Sequence, residues 1–490
     1  MNRKKLFLFY ISLFSFTLVY SQTNGTDTLP VYLKAIAVKL MKPHVNMNYS
    51  YVTDEIRNQA PDLKVKIPQL KDTVKYINNL KGDFSDWKNF VEIAKIYRRY
   101  SMEQNAYPYF VNTYNLIASE IKKDSLNPEY YLDMAQLYLD AGNQEYAQAY
   151  LNMTYQMNPE DTLVLKLLPM YLATSGDIQK AEKVNNVFLK KKPNDVEPYV
   201  NILTIEIFKV LYDSTMMNNM ESITAQKLFD LSKIKAASDK YKDKAFTVLY
   251  HVGQLFALYV KYSSIDDISN GEIKLSETDK TQLKQLKKFF TKAVSNSTYK
   301  NKHILYKSLG FICLLQNDLD GSIKYFKEMM SFYPKDELSN DYDILFAVHY
   351  FLKKDTAEAI NTLKEKIDLN RNLVLNNSED YIRLGNSYLQ SSKFVDAQKA
   401  YQNALSINSK AIDAYLGLSV LEMLNMNFQE SNKYMNLAYD IDKNYYLTYT
   451  MFGVLTLMAD DYRQAKSALE QALKLKPDDK IINELYQIVR

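Results

Sequence analysis

YIRLGNSYLQSSKFVDAQKAYQNALSINSKAIDA (residues 381–414), YLGLSVLEMLNMNFQESNKYMNLAYDIDKNYYLT (415–448) and YTMFGVLTLMADDYRQAKSALEQALKLKPDDKII (449–482) are equal in length and follow one another without a gap. Stacked on their leading tyrosines, Tyr381, Tyr415 and Tyr449, the three segments repeat the same chemistry at the same offsets. The first carries Leu384, Gly385, Tyr388, Ala397, Tyr401 and Ala404, and the third Phe452, Gly453, Ala465, Leu469, Ala472 and Pro477. The middle one is looser, with Leu418, Ser419, Ser431, Met435 and Ala438. Two antiparallel helices per segment account for the pattern. Helices approach closely only where side chains are small, so Gly, Ala or Ser recur at the crossings and large residues fill the space beside them. A proline after the second helix cannot continue it and ends the unit. A fixed period of about 34 residues marks a stacked array in which each unit packs on its neighbours.

The same register recovers units upstream. Tyr131, Ala135, Tyr138, Gly142, Ala147, Leu151 and Pro159 form one. The next keeps Leu165, Leu168, Gly176, Ala181 and Pro193 but has Pro169 where a small residue is usual, which predicts a kinked first helix. Tyr306, Leu309, Gly310, Phe326 and Pro334 form another, followed by a weaker set at Phe346, Ala347, Tyr350, Ala359 and Leu363. An opening unit contains Phe90, Ile93, Ala94, Tyr97, Ala106 and Phe110, its second helix lengthened toward Asp124. These spacings resemble the tetratricopeptide repeat, whose pattern runs aromatic, Leu-Gly, aromatic, Ala, aromatic, Ala, Pro. The resemblance implies an all-α fold, a right-handed superhelical solenoid of antiparallel helix pairs.

Elsewhere the rhythm fails. Residues 22–83 form an irregular segment with short helical patterns at Val31–Met41 and Leu70–Leu80, among Pro30, Pro43, Pro61 and Pro68. Residues 84–215 read as N-terminal repeats and 216–300 as a divergent helical section. That section has long amphipathic stretches at Ala245–Tyr262 and Asp279–Val294, with a loop over Ser263–Ser276 that turns at Asn270-Gly271. C-terminal repeats occupy 301–479, and 480–490 is a capping helix that covers the last apolar face.

Residues 1–21 read as a signal peptide: Arg3, Lys4 and Lys5, an apolar run over Leu6–Tyr20, then Ser21 before the expected cut. The run is short of the ~20 residues a membrane-spanning helix needs. No cysteine near the cut could accept a lipid, so no stable membrane anchor is expected. The reading is an exported protein, periplasmic or secreted, from a Gram-negative bacterium if the signal is bacterial. Basic and acidic residues number 61 and 57, and three of the basic ones lie in the signal, so the remainder is near neutral. That balance gives no electrostatic case for nucleic acid or an anionic membrane. With Cys313 the only cysteine, no intramolecular disulfide can form.

No chemistry-bearing motif appears. His44, His251, His303 and His349 are widely separated and none belongs to a ligand-spaced pair. Cys313 sits where repeats bury a side chain, which predicts an inert thiol. No GxxxxGK[ST], GxGxxG, GxSxG or CxxC occurs, so neither a cofactor nor an enzymatic activity is expected.

The resemblance implies instead that the first helices of successive repeats line a concave groove. In the last three units the lining positions include Ile382, Asn386, Leu389 and Gln390, then Leu416, Val420, Met423 and Leu424, then Leu447, Val454, Leu457 and Met458. A mostly apolar, methionine-bearing lining suits an apolar partner, and equally suits packing between neighbouring first helices. The sequence leaves both readings open. Some chaperone-binding members use a clamp of Lys, Asn and Arg for an acidic C-terminus; of those places only Asn386 matches here, so clamp-type capture is not expected. Tyr131, Tyr199, Tyr306, Tyr381, Tyr415 and Tyr449 fall at the repeat's leading aromatic position, where core packing explains them. The expectation is a non-enzymatic scaffold of the cell envelope that binds a protein segment. The alternative is a glycan or small-ligand binding protein of an outer-membrane uptake system.

Overall fold

A small residue on one helix facing a large ring or branched chain on the next sets how closely each pair packs. Cβ atoms added at Gly310, Gly385 and Gly453 would overlap Phe326, Tyr401 and Leu469, each on the second helix of the same unit. In the looser middle unit a hydrogen bond of 2.8 Å between the Ser419 and Ser431 hydroxyls takes that place.

The computed structural model describes residues 28–43, a few between 87 and 94, and 103–490 apart from 141–142, 220–221, 264–273, 297–301, 333–338 and 373–377. The expected signal, the Leu70–Leu80 helix, Tyr97, Gly142, Pro334, His44 and the Asn270-Gly271 turn lie outside the described residues. Helices make up the described structure, and no strand occurs among these residues. None of the described helices is long and apolar enough to cross a membrane.

Two compact units are resolved, one within Asn46–Asp341 and the other comprising Tyr342–Arg490 with the N-terminal helix. That helix is α1 (Thr28–Leu40). The first unit runs α2 (Glu103–Lys123), α3 (Pro128–Asp140), α4 (Gln144–Met157), α5 (Thr162–Thr174), α6 (Ile178–Lys191) and α7 (Glu197–Tyr212). After two short helical turns come α8 (Ser232–Tyr241), α9 (Lys244–Ser263), α10 (Glu277–Val294), α11 (Lys302–Leu315) and α12 (Leu319–Met330). Pairs α3/α4, α5/α6 and α11/α12 are repeats. The divergent stretch does not fold apart from them: Phe246, Leu249 and Phe290 share one core with Tyr199 and Leu203 of α7 and Leu309 of α11.

The α5 helix runs on through Pro169. Proline has no N–H for the carbonyl four residues earlier, that of Leu165. Asn201 of α7 supplies the missing donor, its Nδ2 lying 3.4 Å from Leu165 O and 3.2 Å from Lys166 O. The same amide donates to Asn185 Oδ1 (3.1 Å), and Asn185 Nδ2 donates to Pro198 O (2.8 Å). Two buried asparagines thus tie three successive helices together, through the backbones of α5 and α7 and the side chain of Asn185 on α6.

Farther along the unit, the fully buried Asp279 heads α10. Its carboxylate accepts from Lys261 Nζ (2.8 Å), Tyr262 OH (2.6 Å) and Ser276 Oγ (2.8 Å). Burial would raise its pKa, but these donors outweigh burial and hold the carboxyl below its usual range.

The second unit contains α13 (Ser339–Ala347), continued by a π turn over Val348–Leu352, then α14 (Thr356–Asn372), α15 (Ser378–Gln390) and α16 (Phe394–Ile407). It ends with α17 (Ile412–Leu424), α18 (Phe428–Ile441), α19 (Tyr446–Met458), α20 (Tyr462–Leu475) and the capping helix α21 (Lys480–Val489), which packs on α20 and α19. Between first and second helices, Ser392, Met426 and Asp460 are left-handed, with φ of 57°, 61° and 60°, each at the same offset from its repeat's leading tyrosine. The tyrosines leading four repeats also recur in their bonding. Tyr131, Tyr199, Tyr415 and Tyr449 each donate a hydroxyl to the carbonyl six residues earlier, those of Ser125, Pro193, Ser409 and Lys443. The ring packs while the hydroxyl pins the preceding loop.

Candidate binding groove

All twelve lining positions lie on the first helices of the last three repeats; ten are buried, and Gln390 and Leu424 are half-buried. Ile382, Asn386 and Leu389 are on α15; Leu416, Val420 and Met423 on α17; Leu447, Val454 and Leu457 on α19. The face is covered by this chain's own α1, which packs on all three helices.

The fit follows from the sequence of α1. Leu33, Ile36, Ala37 and Met41 are buried, at offsets of three, four and eight from Leu33, one stripe of a helix. Ala35 alone between Tyr32 and Pro43 is exposed. A helix of 13 residues is marginal by itself in water, so α1 is helical because it is seated.

Polar contacts concentrate at and just past its C-terminal end, where the last carbonyls of a helix lack i+4 partners. Gln390 Nε2 donates to Val38 O at 2.5 Å and to Met41 O at 3.4 Å, and Asn386 Nδ2 to Lys42 O at 3.2 Å. In the other direction Lys34 Nζ donates to Leu424 O at 3.2 Å, placing a cation on the negative end of α17.

Asn386 is held ready for this. The Tyr401 hydroxyl donates to its Oδ1 at 2.7 Å, leaving Nδ2 to face α1. Tyr401 is fully buried, and its ring lies between Gly385 of its own repeat and Gly417 of the next, where any Cβ would overlap it. Burial with nearby Asp413 and Tyr350 pushes the phenol far above its ordinary pKa, so it stays a donor.

A buried ionic cluster supports α15 from the other direction. Lys366 Nζ lies 2.8 Å from both Asp343 and Asp380, and Arg383 Nη1 lies 2.7 Å from Asp343. The sequence reading did not single out these four residues, though a Lys and an Arg on the inward faces of amphipathic helices were a signal available to it. It missed the Tyr401 hydroxyl and the seat of α1 as well.

The groups that could have carried chemistry lie elsewhere. Cys313 is fully buried, and burial pushes its thiol up to about 11. Burial lowers the pKa of His251, whose ring centroid lies 3.9 Å from that of Phe289. Among the described residues no three His, Cys, Asp or Glu side chains gather as metal ligands would.

Residues 382–445 match the family model for the tetratricopeptide repeat. The chain carries tetratricopeptide repeats over these residues. The match spans α15 to α18, and helix pairs of the same period extend beyond it on both sides. No curated protein sequence matches the chain. Among solved structures, it is similar to YrrB, described as a TPR protein with an unusual peptide-binding site (16% identity, 40% of this chain and 97% of that one, TM-score 0.30). It is also similar to MamA from Desulfovibrio magneticus RS-1 (17% identity, 37% and 98%, TM-score 0.30) and to yeast Tom70 (14% identity, 74% and 80%, TM-score 0.33). These global likenesses are slight, and the family rests on the repeats themselves.

Proposed function

We propose that this tetratricopeptide-repeat protein is a non-enzymatic scaffold of the cell envelope whose second unit holds a helical protein segment against the first helices of its last three repeats. The tetratricopeptide fold supports a protein-interaction role in general. The observation that carries the specific reading is α1 itself, an apolar helix seated on that face with its last carbonyls bound by Gln390 and Asn386. Helix-in-groove binding uses such a surface, an apolar stripe for affinity and a few polar groups for position. The envelope location rests on the charged and apolar N-terminal pattern, Arg3 to Tyr20.

The test is photocrosslinking in the native cells, with the crosslinker at exposed Ala35, beside the seat, and at Tyr107 as a distant control. A protein other than this chain captured from Ala35 and absent from the control supports the scaffold. Crosslinks confined to this chain, or none, overturn it. Fractionation of the same cells tests the location, and a cytoplasmic protein that keeps residues 1–21 would remove the envelope from the proposal.

A further inference from the structure

The seat of α1 is built to recognise a helix end. The donations from Gln390 and Asn386 go to main-chain carbonyls at and just past the end of α1: Val38 O, which also accepts from Met41 N, and Met41 O and Lys42 O beyond Leu40. Side-chain identity enters through the buried stripe, large at Leu33, Ile36 and Met41 and small at Ala37. Pro43 follows, also buried, and stops the helix. The seat is also more completely built than its occupant. Asn386 is oriented by Tyr401, and Tyr401 is fixed between two glycines, all of it within the repeats. By contrast, α1 belongs to no helix pair: its neighbours are α15, α17 and α19, the first helices of three other pairs.

Resting on the scaffold reading above, we propose that this seat is an exchangeable helix-binding site, held in cis by α1 and taken in trans by a partner's apolar helix. That helix has the α1 pattern, three large residues and one small one on a single stripe, and a proline just past its end. Since α1 is marginal as a free helix, its release costs it its structure, and the two helices compete for one seat. Asn386 and Gln390 cap whichever helix is bound.

The probe is a fluorescein-labelled synthetic peptide of residues 26–44, followed by anisotropy against the full chain. Leu33→Asp with Met41→Asp unseats α1 while leaving every repeat residue in place. The doubly substituted chain is expected to keep its helical circular dichroism and to bind the probe at least ten-fold more tightly than the unsubstituted chain. Adding Asn386→Ala and Gln390→Ala is expected to cut that binding ten-fold or more. In the unsubstituted chain, amides of residues 33–41 are expected to exchange with deuterium at least ten-fold faster than those of residues 416–423.

Three results overturn the proposal. The first is probe binding that is no tighter after α1 is unseated. The second is loss of cooperative unfolding in the unseated chain, or amides 33–41 as protected as 416–423; either makes α1 a fixed part of the core. The third is light scattering that shows dimers abolished by the α1 substitutions, which assigns the seat to the α1 of a second copy. The probe is supplied rather than sought in cells, so a chain that binds it by exchange yet crosslinks to no other protein overturns the scaffold reading alone.

Discussion

Tyr401 shows how much one side chain can fix. Its ring fills the space between consecutive repeats, and its hydroxyl aims the amide that faces α1. Gly417→Ala forces a methyl into that ring, and overpacking of this kind costs about 1–3 kcal/mol. The expected outcome is a lower urea midpoint for the second unit, while Ser419→Ala, which removes one hydroxyl from a pair, costs about 1 kcal/mol. The sequence pointed to Ser419 as the small residue of this repeat, and the closer approach at Gly417 was not legible, because its partner Tyr401 belongs to the preceding repeat. Asp279 gives a pH dependence. Its folded pKa lies below the unfolded value of about 3.9, so the stability it contributes is present above that value and is lost as pH falls through the folded one. Asp279→Asn withdraws the carboxylate from buried Lys261, a loss of about 3–5 kcal/mol near neutral pH. Urea midpoints measured from pH 6 down to pH 2.5 should converge for the two proteins at the acid end; parallel curves would mean that Asp279 does not titrate there.

At the scale of elements, the helix pairs were legible because their signal is local: small and large residues recur once per repeat, and each pair closes on itself. Pro169 was legible as an irregularity but its remedy was not. The carbonyl it orphans is bound by Asn201, 36 residues away on α7, at an offset that belongs to no repeat template. A double-mutant cycle tests the pairing. Asn201→Ala leaves buried carbonyls without that donor and costs about 1–3 kcal/mol. Pro169→Ala restores an N–H at the place where it is missing, so Asn201→Ala should cost measurably less in that background. Equal cost in both backgrounds, read from thermal unfolding, would separate Asn201 from the proline.

For the whole molecule, the chain divides into two compact units, so heating should give two calorimetric transitions. Phe290→Ala, in the first unit, should lower one by the ~3–5 kcal/mol of a large core truncation, and Met435→Ala, in the second, should lower the other by ~2–5 kcal/mol. A single transition that both variants shift alike would mean one cooperative unit. This is also the scale at which the sequence was least legible. The candidate groove could be located from the repeats, but whether it was open, covered or core depended on a helix with no repeat signature lying 344 residues away from Asn386. That separation has a consequence in time. At ~5–20 residues per second, a ribosome finishes Asn386 roughly 20–70 s after Lys42, and the rest of the seat later still. The first of the described helices to be made is thus among the last to be sheltered, and for much of synthesis its stripe of Leu33, Ile36 and Met41 is open to whichever chaperone meets the nascent chain.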